Sequence, residues 1–260
     1  MDQTALSLNI HPNNQLSIRN GMEEADGCLP VTSLGPVLVV APHPDDETLG
    51  CGGLIARCAA LGCPMTVLTL TSGEASHPGD DCWKRRLGAT RRKEQREALR
   101  RLGLTDPDNR WQGQPDGGLE SLDTRIRSEL VARVTTLLHE RRIRTVFLPA
   151  VDDCHGDHRA AARLLAAAIA DDPVDYVFSY QIWPPRQRPG HVIANEIRCT
   201  LHIADLLDAK REAIAAHRSQ LGPIDVDHAE GFLLPAELIA AKLQQTETYA
   251  LIRNLMAWSK

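Results

Sequence analysis

The sequence predicts an α/β fold: a single Rossmann-like domain with a mostly parallel sheet flanked by helices. Three observations lead to this prediction. From Pro36 onward, short apolar runs that suit buried strands alternate with longer stretches of helical periodicity. The length of 260 residues suits one large domain. The chain contains neither an internal repeat nor a low-complexity linker that would divide it.

The predicted elements follow one another in a regular order. Strands over Val37–Ala41 and Met65–Leu70 are joined by a helix over Gly53–Leu61. The later elements are helices over Lys84–Leu102, Leu119–Glu140, Ala160–Ala170 and Asp205–Gln220, and strands over Thr145–Ala150, Tyr176–Trp183 and Arg198–Ile203. The helix from Leu119 has its apolar residues at spacings of three and four. Gly103 suits the end of the helix before it.

The first 34 residues are predicted to be an N-terminal extension, and the domain is assigned to residues 35–260. The extension is polar and carries turn-forming pairs such as Asn13-Asn14 and Asp26-Gly27. A short strand near Leu16–Ile18 is the regular element that its sequence suggests.

Composition narrows the class of protein. The net charge of −5 argues against a nucleic-acid partner, and no apolar run approaches the roughly 20 residues that span a bilayer. The N-terminus lacks the pattern of a secretory signal. The seven cysteines form an odd set without a C-x-x-C pair, which favours reduced thiols. We therefore expect a cytoplasmic protein without a membrane span. The sequence specifies no oligomeric state.

Two clusters of ionisable residues dominate the sequence. The first directly follows the strand Val37–Ala41 and consists of His43, Asp45, Asp46 and Glu47. The second follows the strand Thr145–Ala150 and includes His155, Asp157 and His158. Ligands bind at the carboxyl ends of strands in open α/β sheets. So many ionisable groups are costly to bury together unless a cation neutralises them. The clusters thus predict two halves of one metal site.

The motifs resemble those of the PIG-L/LmbE-like deacetylases, a family that includes N-acetylglucosaminylphosphatidylinositol deacetylases and mycothiol and bacillithiol pathway deacetylases. The resemblance covers roughly residues 35–250. It rests on Pro42-His43-Pro44-Asp45-Asp46-Glu47, His155-Gly156-Asp157-His158, Thr71-Ser72-Gly73-Glu74, Arg91-x-x-Glu94, Pro115-Asp116-Gly117 and Lys210-x-x-Ala213-x-x-x-His217-x-Ser219-Gln220. It implies a zinc-dependent hydrolase that removes acetyl from an N-acetylglucosamine-type amino sugar or its conjugate, a small-molecule substrate.

The resemblance also implies a ligand set. His43, Asp46 and His158 match the family's metal ligands, and two histidines with one carboxylate leave a position open for water or substrate. Zn²⁺ is the expected ion, although Fe²⁺, Co²⁺ and Mn²⁺ suit the same donors.

Three further residues receive catalytic roles from the resemblance. Asp45 matches the general base that takes a proton from the attacking water. His155 matches the group that stabilises the oxyanion and supplies a proton to the leaving amine. Asp157 is expected to hold His155 through a hydrogen bond and to raise its pKa. Asp153 stands where some members carry a tyrosine that polarises the carbonyl, so it must face away from the oxyanion or that role must fall elsewhere.

Asp116 matches a family position that binds sugar hydroxyls, and Arg91 is the second candidate for substrate binding. Each has a simpler alternative: Asp116 as a former of an exposed turn, and Arg91 as the partner of Glu94 in an ion pair on a helix surface. Gly50, Gly52 and Gly53 lack the spacing of a dinucleotide fingerprint and are expected to let a helix approach the metal loop.

Two other functions stay open from sequence alone. An amidase for another acyl amide, such as a thiol conjugate or a secondary metabolite, would use the same groups. A non-catalytic sugar-binding protein could keep the fold, but it would need no general base.

Overall fold

The structure is a computed structural model that describes residues 27–171, 174–186, 197–224, 230–253 and 255. The strands of this part of the chain are β1 (Val37–Ala41), β2 (Met65–Thr71), β3 (Asp108–Gln114), β4 (Thr145–Pro149), β5 (Tyr176–Tyr180), β6 (Ile197–His202) and β7 (Thr246–Leu251). Its α-helices are α1 (Asp46–Leu61), α2 (Asp81–Arg101), α3 (Thr124–Glu140), α4 (Gly156–Asp171), α5 (Leu207–Ile214) and α6 (Ala236–Lys242).

The strands form one mixed sheet in the order β3-β2-β1-β4-β5-β7-β6. Strands β3 to β5 along this order are parallel, whereas β7 runs antiparallel to both β5 and β6. Parallel neighbours need crossover connections, and helices supply them here. The predicted fold class, a mostly parallel sheet flanked by helices, is confirmed.

Helices cover both faces of the sheet, so β1 and β4 are buried along their whole length. Side chains alternate between the two faces: Val37 and Val39 belong to one apolar cluster, and Leu38 and Val40 belong to the other. The first cluster includes residues of α1, α2 and α5, and the second includes residues of α3 and α4. This double covering explains why β1 reads as a continuous apolar run.

Strand and helix positions agree with the predictions in the centre of the sheet and differ at its margins. The predicted helix Asp205–Gln220 is broken, because α5 ends at Ile214 and Arg218–Gln220 is a separate 3₁₀ turn. Helix α3 begins at Thr124, where Asp123 caps it by accepting from the backbone of Ile126 at 2.9 Å. Strands β3 and β7 and helix α6 were not predicted. The sequence of β3 is polar, as suits the partly exposed edge of a sheet.

Helix α1 departs from regular geometry at Cys51 (φ −133°, ψ 15°). After this kink, the backbone N–H groups of Gly53 and Leu54 donate to the Glu247 carboxylate at 2.7 and 2.8 Å. Glu247 in turn pairs with the buried Lys210 ammonium at 2.6 Å. A carboxylate from β7 thus satisfies the amide groups that the kink leaves free.

Gly50, Gly52 and Gly53 were expected to let α1 approach the metal loop, and this prediction was wrong. A Cβ atom on Gly50 would lie 2.4 Å from Tyr180, and one on Gly53 would lie 2.4 Å from Ile203. A Cβ atom on Gly52 would lie 3.0 Å from Lys210. The glycines therefore let α1 pack against β5 and against the segment that connects β6 with α5.

Residues 27–34 pack against the domain. Leu29 and Thr200 are joined by a backbone hydrogen bond of 2.9 Å, and Leu29, Val31 and Leu34 are buried in the core. The rest of the predicted extension, with its strand near Leu16–Ile18, lies outside the described residues, and the boundary at residue 34 stays a prediction. No helix in the described ranges is long and apolar enough to cross a bilayer.

The packing around Gly53 leads to a test of stability. Gly53→Ala should lower the free energy of unfolding by about 1–3 kcal/mol, because the added methyl overpacks against Ile203 and Glu247. Helix propensity alone would favour alanine by roughly 1 kcal/mol. Gly222→Ala is the matched control, since no described atom lies within 4 Å of its added Cβ. Denaturant unfolding that shows Gly53→Ala as stable as the wild type would contradict this packing.

Candidate metal centre and active site

The two predicted motifs meet at one edge of the sheet. Strands β1 and β4 are parallel neighbours, so the segments that follow them emerge side by side. The first segment carries His43, and the second leads into α4 with His155 and His158. The ring centroid of His43 lies 4.8 Å from that of His155 and 5.5 Å from that of His158. Tertiary structure thus joins motifs that are more than a hundred residues apart.

The two histidines predicted as metal ligands, His43 and His158, both lie close to one carboxylate oxygen of the third predicted ligand, Asp46. Asp46 Oδ2 lies 3.1 Å from His43 Nδ1 and 3.3 Å from His158 Nε2. The structure also shows a wider choice of donors. His43, His155 and His158 each offer a ligand atom within 4.8 Å of the others, and so do His43, Asp116 and Asp157. The cluster could bind a metal ion, while the assignment of individual ligands stays a prediction.

The residues of this cluster fit a divalent cation. His158 is fully buried, and each of its ring nitrogens faces a carboxylate at 3.3 Å, Nε2 toward Asp46 and Nδ1 toward Asp153, without the geometry of a full hydrogen bond. Burial lowers the pKa of His158, but the nearby carboxylates of Asp46 and Asp153 together outweigh burial and raise this pKa to about 9. The pKa of His43 is also raised against burial, chiefly by its contacts with Asp116, Asp157 and Asp46. The carboxylates therefore attract positive charge, which protons or a metal ion can supply.

Asp45 points to a different partner from Asp46, because adjacent side chains leave the backbone in different directions. Its carboxylate lies 3.1 Å from the Arg91 guanidinium and lines the cavity beside the histidines. Burial raises the pKa of Asp45 to about 7, with the charge of Arg91 opposing this shift. Its backbone has φ 144°, a conformation that non-glycine residues rarely adopt. A buried carboxylate with a pKa near neutrality suits a general base.

Arg91 and Glu94 are both buried, so the alternative of an ion pair on a helix surface was wrong. Besides Asp45, Arg91 donates to the backbone carbonyls of Gly73 and Pro44 at 2.7 and 3.1 Å. Arg91 lines the cavity, and its predicted contact with substrate stays a prediction.

Glu94 has a separate structural role. Its carboxylate accepts from the backbone N–H and the hydroxyl of Ser219 at 3.0 and 2.6 Å. These bonds join α2 to the 3₁₀ turn Arg218–Gln220, whose Gln220 lines the cavity.

Asp157 does not hold His155 through its carboxylate, which corrects the sequence-based expectation. The carboxylate accepts from the backbone of Gly117 and Leu119 at 2.8 and 3.0 Å and lies 3.2 Å from His43 Nε2. The backbone N–H of Asp157 is the group that donates to His155 Nδ1. Burial, together with the neighbouring His43 and His158, lowers the pKa of His155 rather than raising it. Asp157 therefore supports His43 and the loop after β3.

Asp153 is fully buried and is not among the residues that line the cavity. Its Oδ2 lies 3.3 Å from His158 Nδ1 and accepts from the backbone N–H of Trp183 at 3.0 Å. Its Oδ1 accepts from the backbone N–H of His155 at 2.9 Å. A carboxylate behind a histidine orients the ring and makes it a stronger ligand. The departure from tyrosine thus places a positioning carboxylate behind His158.

Asp116 lies against the cluster and is not merely a former of an exposed turn. Its carboxylate lies 3.1 Å from His43 Nε2 and accepts from the backbone of Ala75 at 2.8 Å. Although burial opposes ionisation, the contact with His43 lowers the pKa of Asp116 to about 2. Asp116 also lines the cavity, where its predicted role with sugar hydroxyls stays a prediction.

A cavity of about 330 Å³ opens beside these groups. Sequence reasoning did not predict several of its lining residues: Leu49, Ser76, Ile182, Trp183, Gln220, Phe232 and Leu234. Trp183 had a readable signal, because it lies just after β5 at the carboxyl edge of the sheet. Phe232 had none, since it lies in an irregular segment distant from every motif.

The site is thus a buried histidine and carboxylate cluster that could bind a metal ion, beside a cavity at the edge of a mostly parallel α/β sheet. The chain belongs to the PIG-L family, described as GlcNAc-PI de-N-acetylase, which matches residues 38–169. The resemblance inferred from the motifs is confirmed.

Similar proteins agree with this assignment. The chain is 30% identical to a probable N-acetyl-alpha-D-glucosaminyl L-malate deacetylase 2 of Bacillus cereus, over 71% of this chain and 83% of that protein. It is 27% identical to a 1D-myo-inositol 2-acetamido-2-deoxy-alpha-D-glucopyranoside deacetylase of Mycobacteroides abscessus, over 84% and 92% of the two chains. The N,N'-diacetylchitobiose deacetylase of Pyrococcus horikoshii shares the fold, with a TM-score of 0.66, 22% identity, and coverage of 88% and 87%.

The contact between Asp153 and His158 predicts a measurable effect on metal affinity. Asp153→Asn should weaken Zn²⁺ binding by about 10–100-fold, because the amide is a poorer partner for the His158 ring. Competition with a chromophoric chelator measures the change. Asp152→Asn is the matched control, because within the described ranges the contact of the neighbouring Asp152 is made by its backbone carbonyl, which accepts from the backbone N–H of Arg186. Equal Zn²⁺ affinities of the two variants would contradict the role given to Asp153.

Proposed function

We propose that this N-deacetylase is metal-dependent and removes the acetyl group from an N-acetylglucosamine-type sugar joined to a small aglycone. One observation carries the proposal: Asp45, a buried carboxylate with a pKa near neutrality, lies in the same cavity wall as a His/Asp cluster that suits a metal ion. A site that only binds sugar would need neither a general base nor the strained backbone that presents it.

The relatives support this choice of substrate. The names of the Bacillus cereus and Mycobacteroides abscessus proteins both describe an N-acetylated glucosamine attached to a second group, malate in one and inositol in the other. The acetamido sugar is their shared part, and the attached group differs. The proposal accordingly fixes the sugar and leaves the aglycone to the walls of the cavity.

The seven free cysteines further support a reducing compartment, the cytoplasm.

His43, Asp46 and His158 are the proposed ligands, and Zn²⁺ is the proposed ion. When bound, a divalent cation lowers the pKa of a coordinated water and polarises the amide carbonyl. The nitrogen and oxygen donors also suit Fe²⁺, Co²⁺ or Mn²⁺. Asp153 behind His158 and Asp157 beside His43 would hold two of the ligands in place.

The chain's own residues then divide the proton transfers. The hydroxyl of water adds to the carbonyl carbon, and Asp45 takes the remaining proton. Arg91 fixes the Asp45 carboxylate and opposes the rise in its pKa. His155 faces the cavity and hydrogen-bonds the carbonyl oxygen as it gains charge. The proton that Asp45 takes from water is delivered through His155 to the amine nitrogen as the C–N bond breaks, and the lowered pKa of the His155 ring favours its release. The products are acetate and the free amine.

The roles of Asp45 and Asp46 can be separated by two matched substitutions. Asp45→Asn should keep the metal and reduce kcat by about 10²–10⁴-fold, because the amide cannot accept a proton. Asp46→Asn should lose both metal and activity, since it removes the carboxylate shared by the two histidines. Release of free amine from metal-loaded protein and metal content by elemental analysis give the two readouts.

Three results would change the proposal. Metal loss in Asp45→Asn would remove Asp45 from the role of base and place it among the ligands. Inactivity of metal-loaded wild type on every N-acetylglucosamine derivative, with activity on a longer acyl amide, would move the reaction to another acyl group. Wild-type protein that binds the sugars without binding metal would be a binding protein of this fold.

A further inference from the structure

We propose that the cavity selects substrates whose aglycone is apolar, and that Trp183 and Phe232 are the residues that recognise it. The inference rests on the proposed deacetylation and concerns a part of the cavity that the reaction itself does not use. The aglycone would be an aromatic ring or an alkyl chain rather than a polyol or a dicarboxylic acid.

Two kinds of side chain line the cavity. Asp45, Asp116 and His155 are among the reacting groups. Five apolar side chains, together named the apolar wall, line the same cavity: Leu49, Ile182, Trp183, Phe232 and Leu234. An aglycone joined to a sugar whose acetamido group is held at the reacting groups would meet the apolar wall. Inositol or malate there would lose hydrogen bonds to water without gaining a charged partner from these five side chains.

Trp183 and Phe232 pack against each other. Their ring centroids lie 5.8 Å apart with an interplanar angle of 75°, an edge-to-face arrangement. Trp183 is half-buried, and Phe232 keeps 41% of its surface exposed. Exposed edges of paired rings are well suited to contact a flat or chain-like apolar group.

Trp183 is held in place by the loop between β4 and α4, which carries Asp153 and Cys154. The backbone N–H of Trp183 donates to Asp153, the same carboxylate that contacts His158. One residue further, the carbonyl of Pro184 accepts from the backbone N–H of Cys154 at 3.2 Å. The position of Trp183 is therefore coupled to the reacting centre, as a specificity-determining residue requires.

The phenylalanine side is held equally well. The backbone N–H of Phe232 donates to the carbonyl of Ser76 at 2.8 Å, and that of Leu234 donates to the carbonyl of Gln220 at 2.8 Å. Ser76 and Gln220 themselves line the cavity. Both apolar segments are thus attached by backbone hydrogen bonds to segments that carry polar lining residues.

Exposed apolar surface concentrates around this part of the molecule. Among the described residues, five large apolar side chains are exposed: Leu61, Trp111, Leu221, Phe232 and Leu233. Leu221, Phe232 and Leu233 lie within two residues of Gln220 or Leu234 in sequence, and the backbones of Gln220 and Leu234 are joined by a hydrogen bond. Soluble proteins place such patches where they bind something apolar. Because this patch continues into the cavity with Asp45 and His155, we assign it to the substrate's own aglycone.

The test compares kcat/KM of the metal-loaded, full-length protein on 2-acetamido-2-deoxyglucosides with methyl, inositol, phenyl and octyl aglycones. We expect the phenyl or the octyl compound to exceed the methyl and inositol compounds by at least about tenfold. The phenyl and octyl arms separate an aromatic from an alkyl aglycone. Trp183→Ala and Phe232→Ala should each reduce the ratio of phenyl or octyl to methyl, mainly through KM, whereas Trp183→Phe should restore most of it.

Trp111→Ala is the matched control. Trp111 is another exposed tryptophan, it lies on β3 against Arg92, and it is absent from the lining of this cavity. Its removal should leave the aglycone ratio unchanged. A ratio that falls equally in Trp111→Ala would show that the effect is not specific to this cavity and would overturn the assignment to Trp183 and Phe232.

Two failures can be told apart. Deacetylation of all four glycosides at similar kcat/KM would overturn the apolar subsite and leave the proposed function intact. If no glycoside is deacetylated, the proposed function fails, and calorimetry of the same glycosides with Asp45→Asn protein decides the subsite: phenyl or octyl binding about tenfold tighter than methyl supports it, and equal or no binding rejects it.

Tight binding to sugar-free phosphatidylcholine vesicles, lost in Phe232→Ala, would assign the patch to a lipid surface and reject the aglycone.

Discussion

The burial of many ionisable groups at one edge of a parallel sheet is the constraint on which the rest of this structure depends. Asp46 contacts both His43 and His158, and Asp116 and Asp157 approach His43 from the other side. Such a cluster is tolerable only if its charges balance, and imidazoles, Arg91 or a metal ion can balance them. The apolar packing of α1, α2 and α4 around β1 and β4 holds these groups in contact.

Several parts of the domain that lie outside the cluster support its geometry. Glu247 and Lys210 stabilise the kink in α1, the helix that begins with Asp46. Glu94 joins α2 to the turn with Gln220, while Arg91 from the same helix holds Asp45. Each of these interactions satisfies a buried polar group, and those of Glu94 and Arg91 also hold parts of the cavity lining, the turn with Gln220 and Asp45. Stability and positioning are therefore supplied by the same hydrogen bonds.

Asp153 joins the two functions of the cavity. One of its oxygens lies against His158 and accepts from the backbone of Trp183, so one carboxylate contacts both the metal-site histidine and the apolar wall. In the proposals made for this chain, metal affinity would depend on the first contact and the choice of substrate on the second. A tyrosine hydroxyl at this position could not carry the charge that raises the basicity of His158.

The sequence by itself determined the fold class, the central strands and the histidines and carboxylates that meet in one cluster, because buried strands and grouped ionisable residues leave local patterns that can be read along the chain. It did not reveal the edge strand β3, whose residues are polar, or the partners of Asp153, Asp157 and Arg91. Tertiary structure alone decided these, because they join segments that lie far apart in sequence and depend on the direction of side chains. The apolar wall illustrates the limit: Trp183 and Phe232 become neighbours only when the domain folds.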